Sequence, residues 1–418
     1  MSPPKTKNSK PTTQKITIAE IKKAAGVLDG RVIRTPLVYS PTFSRLGGFQ
    51  VYLKLENLQA TGSFKIRGAT YKVLTELDHI GKKGVVAASA GNHAQGVALA
   101  ARQAGLPCTI VMPEWASISK QEATRSYGGE VILEGQSLDD SIKKALEFAR
   151  EGRTFVHPFD DPSIIAGQGS VGLEIMEDLP DVDLIAVPVG GGGLISGIAT
   201  AARSIRPSVR IVGVQAEACP SALKAVGTGE RVMVGALRSI ADGISVKQIG
   251  RITFDVIRKE VDQIVLVDED RIAEAVIMLL ERKKMLAEGA GAVCVAALLA
   301  GAIKAHSETK AVLVISGGNI DIPLLDRAIR KGMSRNGRIM RFSVYLDDVP
   351  GALERLLGII AGAKANVLQI YHNRGGADMS IYQTLVELEV ETRNAEHIRQ
   401  IEAALYQADY HIKMTLGI

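Results

Sequence analysis

The chain has 418 residues, of which 46% are hydrophobic and 23% charged, and a net charge of +5. This length predicts more than one domain, and the small net charge with only 4% aromatic residues gives no support for nucleic-acid binding. The longest apolar stretch, AVCVAALLAGAI, is too short to span a bilayer, and three widely separated cysteines favour a reducing compartment. We therefore expect a cytoplasmic protein that binds neither nucleic acid nor a membrane.

The first 15 residues, MSPPKTKNSKPTTQK, are polar and lack the apolar segment of a signal peptide, so we predict a disordered tail. From residue 16 to about 330, short β-branched runs alternate with amphipathic helical patterns, which predicts an α/β domain with a largely parallel sheet. Ligands of such domains bind at the carboxyl ends of the strands. The predicted strands are GVVAASA, CTIVMP, EVILEG, LIAVPVG, RIVGVQAE and AVLVIS.

Residues 338–418 have a different pattern. RIMRFSVYL alternates strictly between apolar and polar residues, DDVPGALERLLGIIAG has apolar residues at helical spacing, and two further strands, a helix and a last strand follow. The element order βαββαβ is that of the ferredoxin-like α+β unit. The polar residues 331–337 are a predicted linker, and Pro350 is expected in the first helical turn.

A single lysine, Lys65, stands between Phe64 and Ile66 at the start of a predicted helix, in ATGSFKIRGAT, with Ser63 as the expected N-cap. Most lysines are solvated surface charges, and residue type alone favours that interpretation. A lysine that is partly desolvated at the end of a strand would instead lose proton affinity and become an amine nucleophile.

Four consecutive glycines, Gly190–Gly193, lie between a predicted strand and a helix in PVGGGGLISG. Their backbone N–H groups can turn toward one anion at the helix N-terminus, although a tight turn is the simpler alternative. No frame of these glycines fits the GxGxxG or GxxxxGK[ST] nucleotide motifs. A single phosphate is therefore the expected ligand.

Two further strand ends carry polar residues. In AASAGNHAQG, backbone N–H groups and the amide of Asn92 could bind a carboxylate or phenolate, while the alternative is an ordinary Asn cap with a partly buried His93. In VISGGNID, the hydroxyl of Ser316 could meet a heterocyclic nitrogen, although serine is also common in turns. A phosphate site, an amine, an amide and a hydroxyl together match pyridoxal phosphate.

The motifs SFKIRGA, ASAGNHAQG, GGGGLISG, AEGAGA and SGGN, in this order, resemble those of fold-type II pyridoxal-phosphate enzymes. Within them the chain is most similar to the serine/threonine dehydratase family, and especially its threonine dehydratases (threonine ammonia-lyases). The resemblance covers residues 16–330 and implies a two-lobed, tryptophan synthase β-like catalytic domain. Its small lobe, residues 60–155, would be inserted in the large lobe.

The resemblance also implies roles for individual residues. Lys65 would form the Schiff base with the cofactor and then remove the α-proton of the substrate, and Phe64 would lie against the pyridine ring. The other implied cofactor contacts are Asn92 to the ring oxygen, Gly190, Gly191, Gly192, Gly193 and Leu194 to the phosphate, Ser316 to the ring nitrogen, and Gly243 close to the ring. The implied substrate contacts are Ser89, Ala90, Gly91, Asn92, His93 and Glu288.

The reaction implied is conversion of L-threonine, and also L-serine, to a 2-oxo acid and ammonia by α-proton abstraction and β-elimination of water. Serine racemases and serine dehydratases share the motifs and are the alternative. In racemases a serine two positions before the Asn is the second acid/base, and here that position is Ala90. The acidic residues that hold a divalent cation in serine racemase do not align with QAEACPSA, so we predict no metal site. Synthases that use O-acetylserine match less closely.

DDVPGALERLL resembles the ACT domain, a small amino-acid-binding module. The resemblance implies regulation by isoleucine or valine, in isoleucine biosynthesis or threonine catabolism, and association into a homodimer or homotetramer. Alternatively, the unit only pairs subunits, or the whole chain is a non-catalytic amino-acid sensor. The implied regulatory residues are Asp348, Pro350, Gly351, Ala352 and Leu353.

Overall fold

A computed structural model of the protein describes residues 16–375 and 380–415, so the predicted tail at residues 1–15 lies outside the described residues. The described chain forms two compact units. The first contains residues 16–275 and 279–321, and the second contains residues 276–278 and 322–415 apart from the gap.

The first unit contains two sheets. The larger has six strands in the order β1-β2-β10-β7-β8-β9, all parallel except the antiparallel β1–β2 pair. The smaller has four parallel strands in the order β5-β4-β3-β6. The strand bounds are β1 Leu37–Tyr39, β2 Gln50–Leu55, β3 Val85–Ala88, β4 Cys108–Met112, β5 Glu130–Leu133, β6 Thr154–Phe155, β7 Leu184–Pro188, β8 Arg210–Ala216, β9 Gln263–Val267 and β10 Lys310–Ile315.

Helices connect these strands, as the alternating pattern predicts, and each sheet packs its apolar residues into a separate core. The helix bounds are α1 Ile18–Leu28, α2 Pro41–Gly47, α3 Lys65–Thr75, α4 Asn92–Gln103, α5 Ile118–Ser126, α6 Leu138–Arg150, α7 Pro162–Asp178, α8 Gly193–Ile205, α9 Ser221–Thr228, α10 Arg251–Glu260, α11 Glu269–Lys283 and α12 Gly289–Leu299, with 3₁₀ turns at Glu56–Leu58, Leu77–His79 and Asp242–Ile244. The predicted fold class, with mainly parallel sheets, is confirmed. The smaller sheet is built entirely within residues 60–155, the predicted small lobe.

The second unit has the predicted βαββαβ order, which is confirmed. Its antiparallel sheet has the strand order β12-β13-β11-β14, and Met340, Phe342, Val344 and Leu346 of β11 are buried, as their alternation predicts. The bounds are α13 Ile322–Arg335, β11 Ile339–Asp347, α14 Ala352–Gly362, β12 Asn366–Asn373, β13 Gln383–Glu391, α15 Ala395–Gln407 and β14 Ile412–Met414.

Three local expectations differ from the structure. Helix α13 continues to Arg335 and so includes most of the predicted linker at residues 331–337, because Gly332 and Ala328 are buried along it. Helix α3 has Phe64 rather than Ser63 as its N-cap, because Ser63 forms a β-bridge with Gly317. Helix α14 begins after Gly351, so Pro350 precedes its first turn. Among the described residues no helix combines the length and apolarity that a membrane span requires.

Candidate active site

The four glycines form the turn between β7 and α8, where the dipole of a buried helix begins. Gly191, Gly192 and Gly193 are buried. Within residues 16–375 and 380–415, the backbone N–H groups of Gly190–Leu194 donate no hydrogen bond. Because buried donors without an acceptor are costly, this turn is built for an anionic ligand.

The positive φ of Gly192, +96°, lets the chain leave β7 and enter α8 at once. Under this turn lies the ring of Phe159, so close that a Cβ on Gly191 would stand 2.2 Å from its Cγ. Phe159 belongs to the loop after β6, and Pro158 in the same loop accepts a hydrogen bond from Lys65 Nζ at 3.0 Å. The loop therefore brings the glycine turn and Lys65 to one place.

Lys65 is the first residue of α3, and its amine lies 5.1 Å from the centroid of the Phe64 ring. Burial lowers the pKa of Lys65 to about 8, against the opposing effect of Glu288, whose negative charge raises it. A lysine with this pKa is partly neutral near pH 8 and can act as a nucleophile or as a base. Its half-buried position and its bond to Pro158 distinguish Lys65 from an ordinary, fully solvated surface lysine.

Asn92 and Glu288 meet beside this lysine, although 196 positions separate them in the sequence. Asn92 Nδ2 donates to Glu288 Oε1 at 2.6 Å, and Asn319 Nδ2 donates to Asn92 Oδ1 at 2.8 Å. Asn319 Nδ2 also donates to the carbonyl of Thr61 at 2.7 Å. The bond from Asn92 to Glu288 and the bond from Asn319 to Asn92 together fix the side-chain amide of Asn92 in one orientation.

Burial, together with the nearby charge of Asp242, raises the pKa of Glu288 to about 8, while the bond from Asn92 and the charges of Lys120 and Lys65 oppose the shift. The Glu288 carboxyl is therefore largely protonated at neutral pH. A protonated carboxyl is a hydrogen-bond donor, and a deprotonated one accepts from an ammonium group. Glu288 can serve either purpose next to Lys65.

The side chain of His93 is not available to a ligand. Its ring is buried, and Nε2 donates to the carbonyl of Val156 at 2.9 Å. Burial lowers the pKa of His93 to about 3, and the charge of Lys65 adds to this shift. Only the backbone N–H of this predicted substrate residue can contribute to a site.

The remaining predicted residues around Asn92 form the turn from β3 into α4. Gly91 N donates to Ser89 Oγ at 3.1 Å, which uses one acceptor position of that oxygen and leaves its O–H as a donor. The backbone N–H groups of Ala90, Asn92 and His93 find no acceptor in the described part of the chain. The turn is thus a second group of donors suited to an anion.

Ser316 and Gly243 both lie close to Ala290, at the start of α12. Ser316 is buried, and within the described residues its hydroxyl makes only a long contact of 3.5 Å with the carbonyl of Ala290. A Cβ on Gly243 would lie 3.6 Å from Glu288 Oε1. Both residues therefore belong to the same region as Lys65 and Asn92.

Sequence reasoning missed several residues of this region. Lys120 Nζ lies 2.8 Å from Asp242 Oδ2 and 3.8 Å from Asp321 Oδ2, and neither pair has a sequence signal. Asn319 belongs to the SGGN motif, which pointed only to Ser316. Pro158 contributes a backbone carbonyl, which any residue has.

In the second unit, Asp348 is exposed and pairs with Arg374, with 3.1 Å between Oδ1 and Nε. Pro350 is also exposed, and Gly351 is the N-cap of α14. Ala352 and Leu353 pack against the core of this unit. Of the predicted regulatory residues, Asp348 and Pro350 are exposed, Gly351 and Leu353 are half-buried, and Ala352 is buried.

The first unit therefore combines two groups of unbonded N–H donors, a lysine of lowered pKa, and a buried hydroxyl on Ser63 without a partner among the described residues. The two groups of N–H donors suit one phosphate and one carboxylate, and the Lys65 amine suits one aldehyde. The arrangement suits a phosphate-bearing aldehyde next to a substrate acid.

Comparison with known proteins gives a consistent result. The family model "Pyridoxal-phosphate dependent enzyme" matches residues 28–317. The L-threonine ammonia-lyase of Thermotoga maritima is 49% identical over 96% of this chain and 99% of that relative. The solved processed form of threonine deaminase isoform 2 from Solanum lycopersicum is 34% identical, with a TM-score of 0.70 over 75% of this chain and 86% of its own. Maize serine racemase is 35% identical, with a TM-score of 0.71 over 76% of this chain and 98% of its own.

Proposed function

Since the chain belongs to the family of pyridoxal-phosphate dependent enzymes, we propose that it is an L-threonine ammonia-lyase. It converts L-threonine to 2-oxobutanoate and ammonia, and it also accepts L-serine. The observation that carries the proposal is the partly buried Lys65 amine, of lowered pKa, held by the same loop that supports the Gly190–Gly193 turn.

The cofactor is pyridoxal phosphate, which supplies an aldehyde for amines and withdraws electrons from the substrate Cα. The N–H groups of Gly190–Leu194 would hold its phosphate, and Lys65 would bind its aldehyde. Phe64 would cover the ring, while Asn92 and Ser316 would bind its oxygen and nitrogen. The N–H groups of Gly190–Leu194 are unbonded among the described residues, and the Ser316 hydroxyl makes only a long contact there. Asn92 Nδ2 keeps a second N–H besides the one that it donates to Glu288, and the Phe64 ring centroid lies 5.1 Å from the Lys65 amine.

The substrate carboxylate would bind at the N-terminus of α4, where the N–H groups of Ala90, Asn92 and His93 are unbonded. Lys65, once displaced by the substrate amine, would take the Cα proton, since a neutral amine is abundant near its lowered pKa. Glu288 would bind near the substrate amine. The turn at Ser89–Gly91 is closed by its own hydrogen bond and orients these donors.

A serine racemase is the alternative of the same fold. Racemisation needs a second acid/base on the other side of the substrate, and Ala90 has only a methyl group at the position where racemases have a serine. Elimination is therefore favoured over racemisation.

For the second unit we propose an ACT-like role in regulation by isoleucine or valine, in isoleucine biosynthesis or threonine catabolism. The accessible Asp348–Gly351 turn supports a reversible ligand site. Exposed apolar residues on the edge strand β12, Leu368, Ile370 and Tyr371, support a homodimer or homotetramer. Three buried free cysteines agree with a cytoplasmic location.

A steady-state assay tests the proposal. Purified protein supplied with pyridoxal phosphate should be yellow and should release 2-oxobutanoate from L-threonine and pyruvate from L-serine, without forming D-serine. Isoleucine or valine should change the rate. A yellow protein that releases no 2-oxo acid would leave the sensor as the better account, and D-serine as the main product would favour the racemase.

A further inference from the structure

A side chain behind the glycine turn, Thr253, controls the direction of its central peptide. Thr253 lies in the first turn of α10 and is completely buried. Its Oγ1 donates to the carbonyl oxygen of Gly191 at 2.7 Å, and Gly250 N donates to the same oxygen at 3.3 Å. Both bonds hold this carbonyl toward α10.

The direction of that carbonyl decides where the next N–H group points. In a planar trans peptide, the C=O of Gly191 and the N–H of Gly192 point in opposite directions. A carbonyl held toward α10 therefore turns the Gly192 N–H away from α10, and this N–H is one of the donors that find no acceptor among residues 16–375 and 380–415. Glycine residues alone would leave this peptide free to rotate.

Thr253 is itself held in place by the loop that contacts Lys65. The carboxylate of Asp160 accepts hydrogen bonds at the start of α10, at 2.8 Å from Arg251 N, 2.8 Å from Ile252 N and 3.3 Å from Thr253 N. Asp160 follows directly after Phe159, the ring under the glycine turn. The position of Thr253 is thus set independently of any ligand.

We propose that Thr253 is a positioning residue for the cofactor phosphate: its hydroxyl orients the Gly191–Gly192 peptide so that the Gly192 N–H faces the phosphate. The inference rests on the proposed use of Gly190–Leu194 as the phosphate site. In this proposal Thr253 acts without touching the cofactor. Its loss should weaken the binding of ligands that carry the phosphate and leave the binding of ligands without it unchanged.

The test compares Thr253→Val, which has nearly the same shape without the donor, with Thr253→Ser, which keeps the hydroxyl. Thr124→Val is the control, because Thr124 is also fully buried and donates to a backbone carbonyl, that of Lys120, at 2.9 Å. Each apoprotein is titrated with pyridoxal phosphate and with pyridoxal, which has no phosphate, and Schiff-base absorption is recorded.

Thr253→Val should bind pyridoxal phosphate about tenfold more weakly, since one hydrogen bond that orients a buried peptide is lost. Its affinity for pyridoxal should be unchanged, and Thr253→Ser and Thr124→Val should bind both like the wild type. Thr253→Ala and Thr253→Ser both lack the methyl group, so their difference isolates the hydroxyl if the valine variant does not fold.

Normal affinity of Thr253→Val for pyridoxal phosphate, or equal weakening for both ligands, would overturn the role of Thr253 and leave the proposed function intact. No difference between Thr253→Ala and Thr253→Ser would do the same. Failure of the wild type itself to bind pyridoxal phosphate would instead overturn the proposed function, and the inference with it.

Discussion

Each unit of the molecule has a helix that begins after a glycine of positive φ. Gly192 (+96°) precedes α8 in the first unit, and Gly351 (+85°) precedes α14 in the second. The turn around Gly192 is buried and leaves the N–H groups of Gly190–Leu194 without an acceptor in the described chain. The turn around Gly351 is more open, and Ala352 N already donates to the carbonyl of Val349 at 3.2 Å.

The difference lies in burial rather than in local geometry. Buried N–H groups cannot bond to water, so an empty Gly190–Gly193 turn is costly and a phosphate there is stabilised. At Asp348–Gly351 water can bond to the backbone groups, so this turn costs little without a ligand. The buried turn therefore suits a resident ligand, and the exposed turn would suit the reversible effector proposed for the second unit.

The largest effect on activity is expected at Lys65, the proposed nucleophile beside the buried turn. Lys65→Ala should abolish the visible Schiff-base absorption and lower kcat by about 10³-fold or more, since one side chain serves as cofactor anchor and base. Lys83→Ala, at an exposed lysine, is the control. Full activity of Lys65→Ala would refute the assigned site.

The comparison itself is tested by placing alanine at both glycines. In Gly192→Ala the new Cβ would stand 2.7 Å from Thr253 Cβ, in addition to the strain of positive φ, about 1–2 kcal/mol. Its affinity for pyridoxal phosphate should fall at least about tenfold. In Gly351→Ala the atom nearest to the new Cβ is Nη1 of the exposed Arg355 side chain, at 3.3 Å.

Gly351→Ala should therefore be destabilised by only about 1 kcal/mol, with normal cofactor affinity and normal kcat. Thermal unfolding and cofactor titration measure the two quantities. Equal loss of cofactor affinity in both variants would show that burial does not separate the two turns.

The main features of both units were predictable from the sequence, because they depend on unusual residue patterns. Four adjacent glycines and a lysine between apolar neighbours are rare enough to indicate a site. The strict alternation of β11 likewise predicted the βαββαβ unit, since the side-chain period of a strand is two.

The supporting residues were not predictable, because they act through contacts between distant segments. Thr253 is an ordinary helical threonine in sequence, and Pro158 acts through its backbone carbonyl. Ser63 was a reasonable N-cap locally, but its β-bridge to Gly317 prevails. His93 follows Asn92 in the motif, but its side chain points into the core, a choice that the tertiary packing makes.

Asn319→Ala should lower kcat/KM for L-threonine by about 10-fold, because Asn92 then loses the donor that fixes its amide and the oxygens of Thr61 and Asn92 are left unsatisfied. Asn319→Asp should lower kcat/KM further, since a carboxylate oxygen would then face the oxygens of Thr61 and Asn92. Asn57→Ala, which removes a side-chain bond to the carbonyl of Leu286 at 3.0 Å, is the control. Unchanged kcat/KM in Asn319→Asp would contradict the positioning of Asn92.

The pH dependence of cofactor binding tests the electrostatics around Lys65. Below pH 8 Lys65 is mostly charged and cannot add to an aldehyde, so the rate at which the apoprotein binds pyridoxal phosphate should rise with pH through about 8 and then level. Near pH 8 Glu288 is partly ionised, and Glu288→Gln removes the negative charge that raises the pKa of Lys65. The midpoint should therefore move to lower pH.

Glu114→Gln, at an exposed carboxyl, should leave that midpoint at about 8. An upward shift in Glu288→Gln would mean that Glu288 does not interact with Lys65 as an anion. A midpoint near pH 10 in the wild type would mean that Lys65 is solvated.

The smallest effect is expected at the exposed turn. Asp348→Asn removes the ion pair with Arg374, which at the surface contributes about 0.5 kcal/mol, so the unfolding temperature should hardly change. Activity without effector should be normal, but half-saturation by isoleucine or valine should shift if the ligand amine binds near this carboxylate. Asp409→Asn, at an exposed residue of the same unit, is the control. An unshifted response in Asp348→Asn would place the effector away from this turn, and the water-exposed helix start would then have no role in binding.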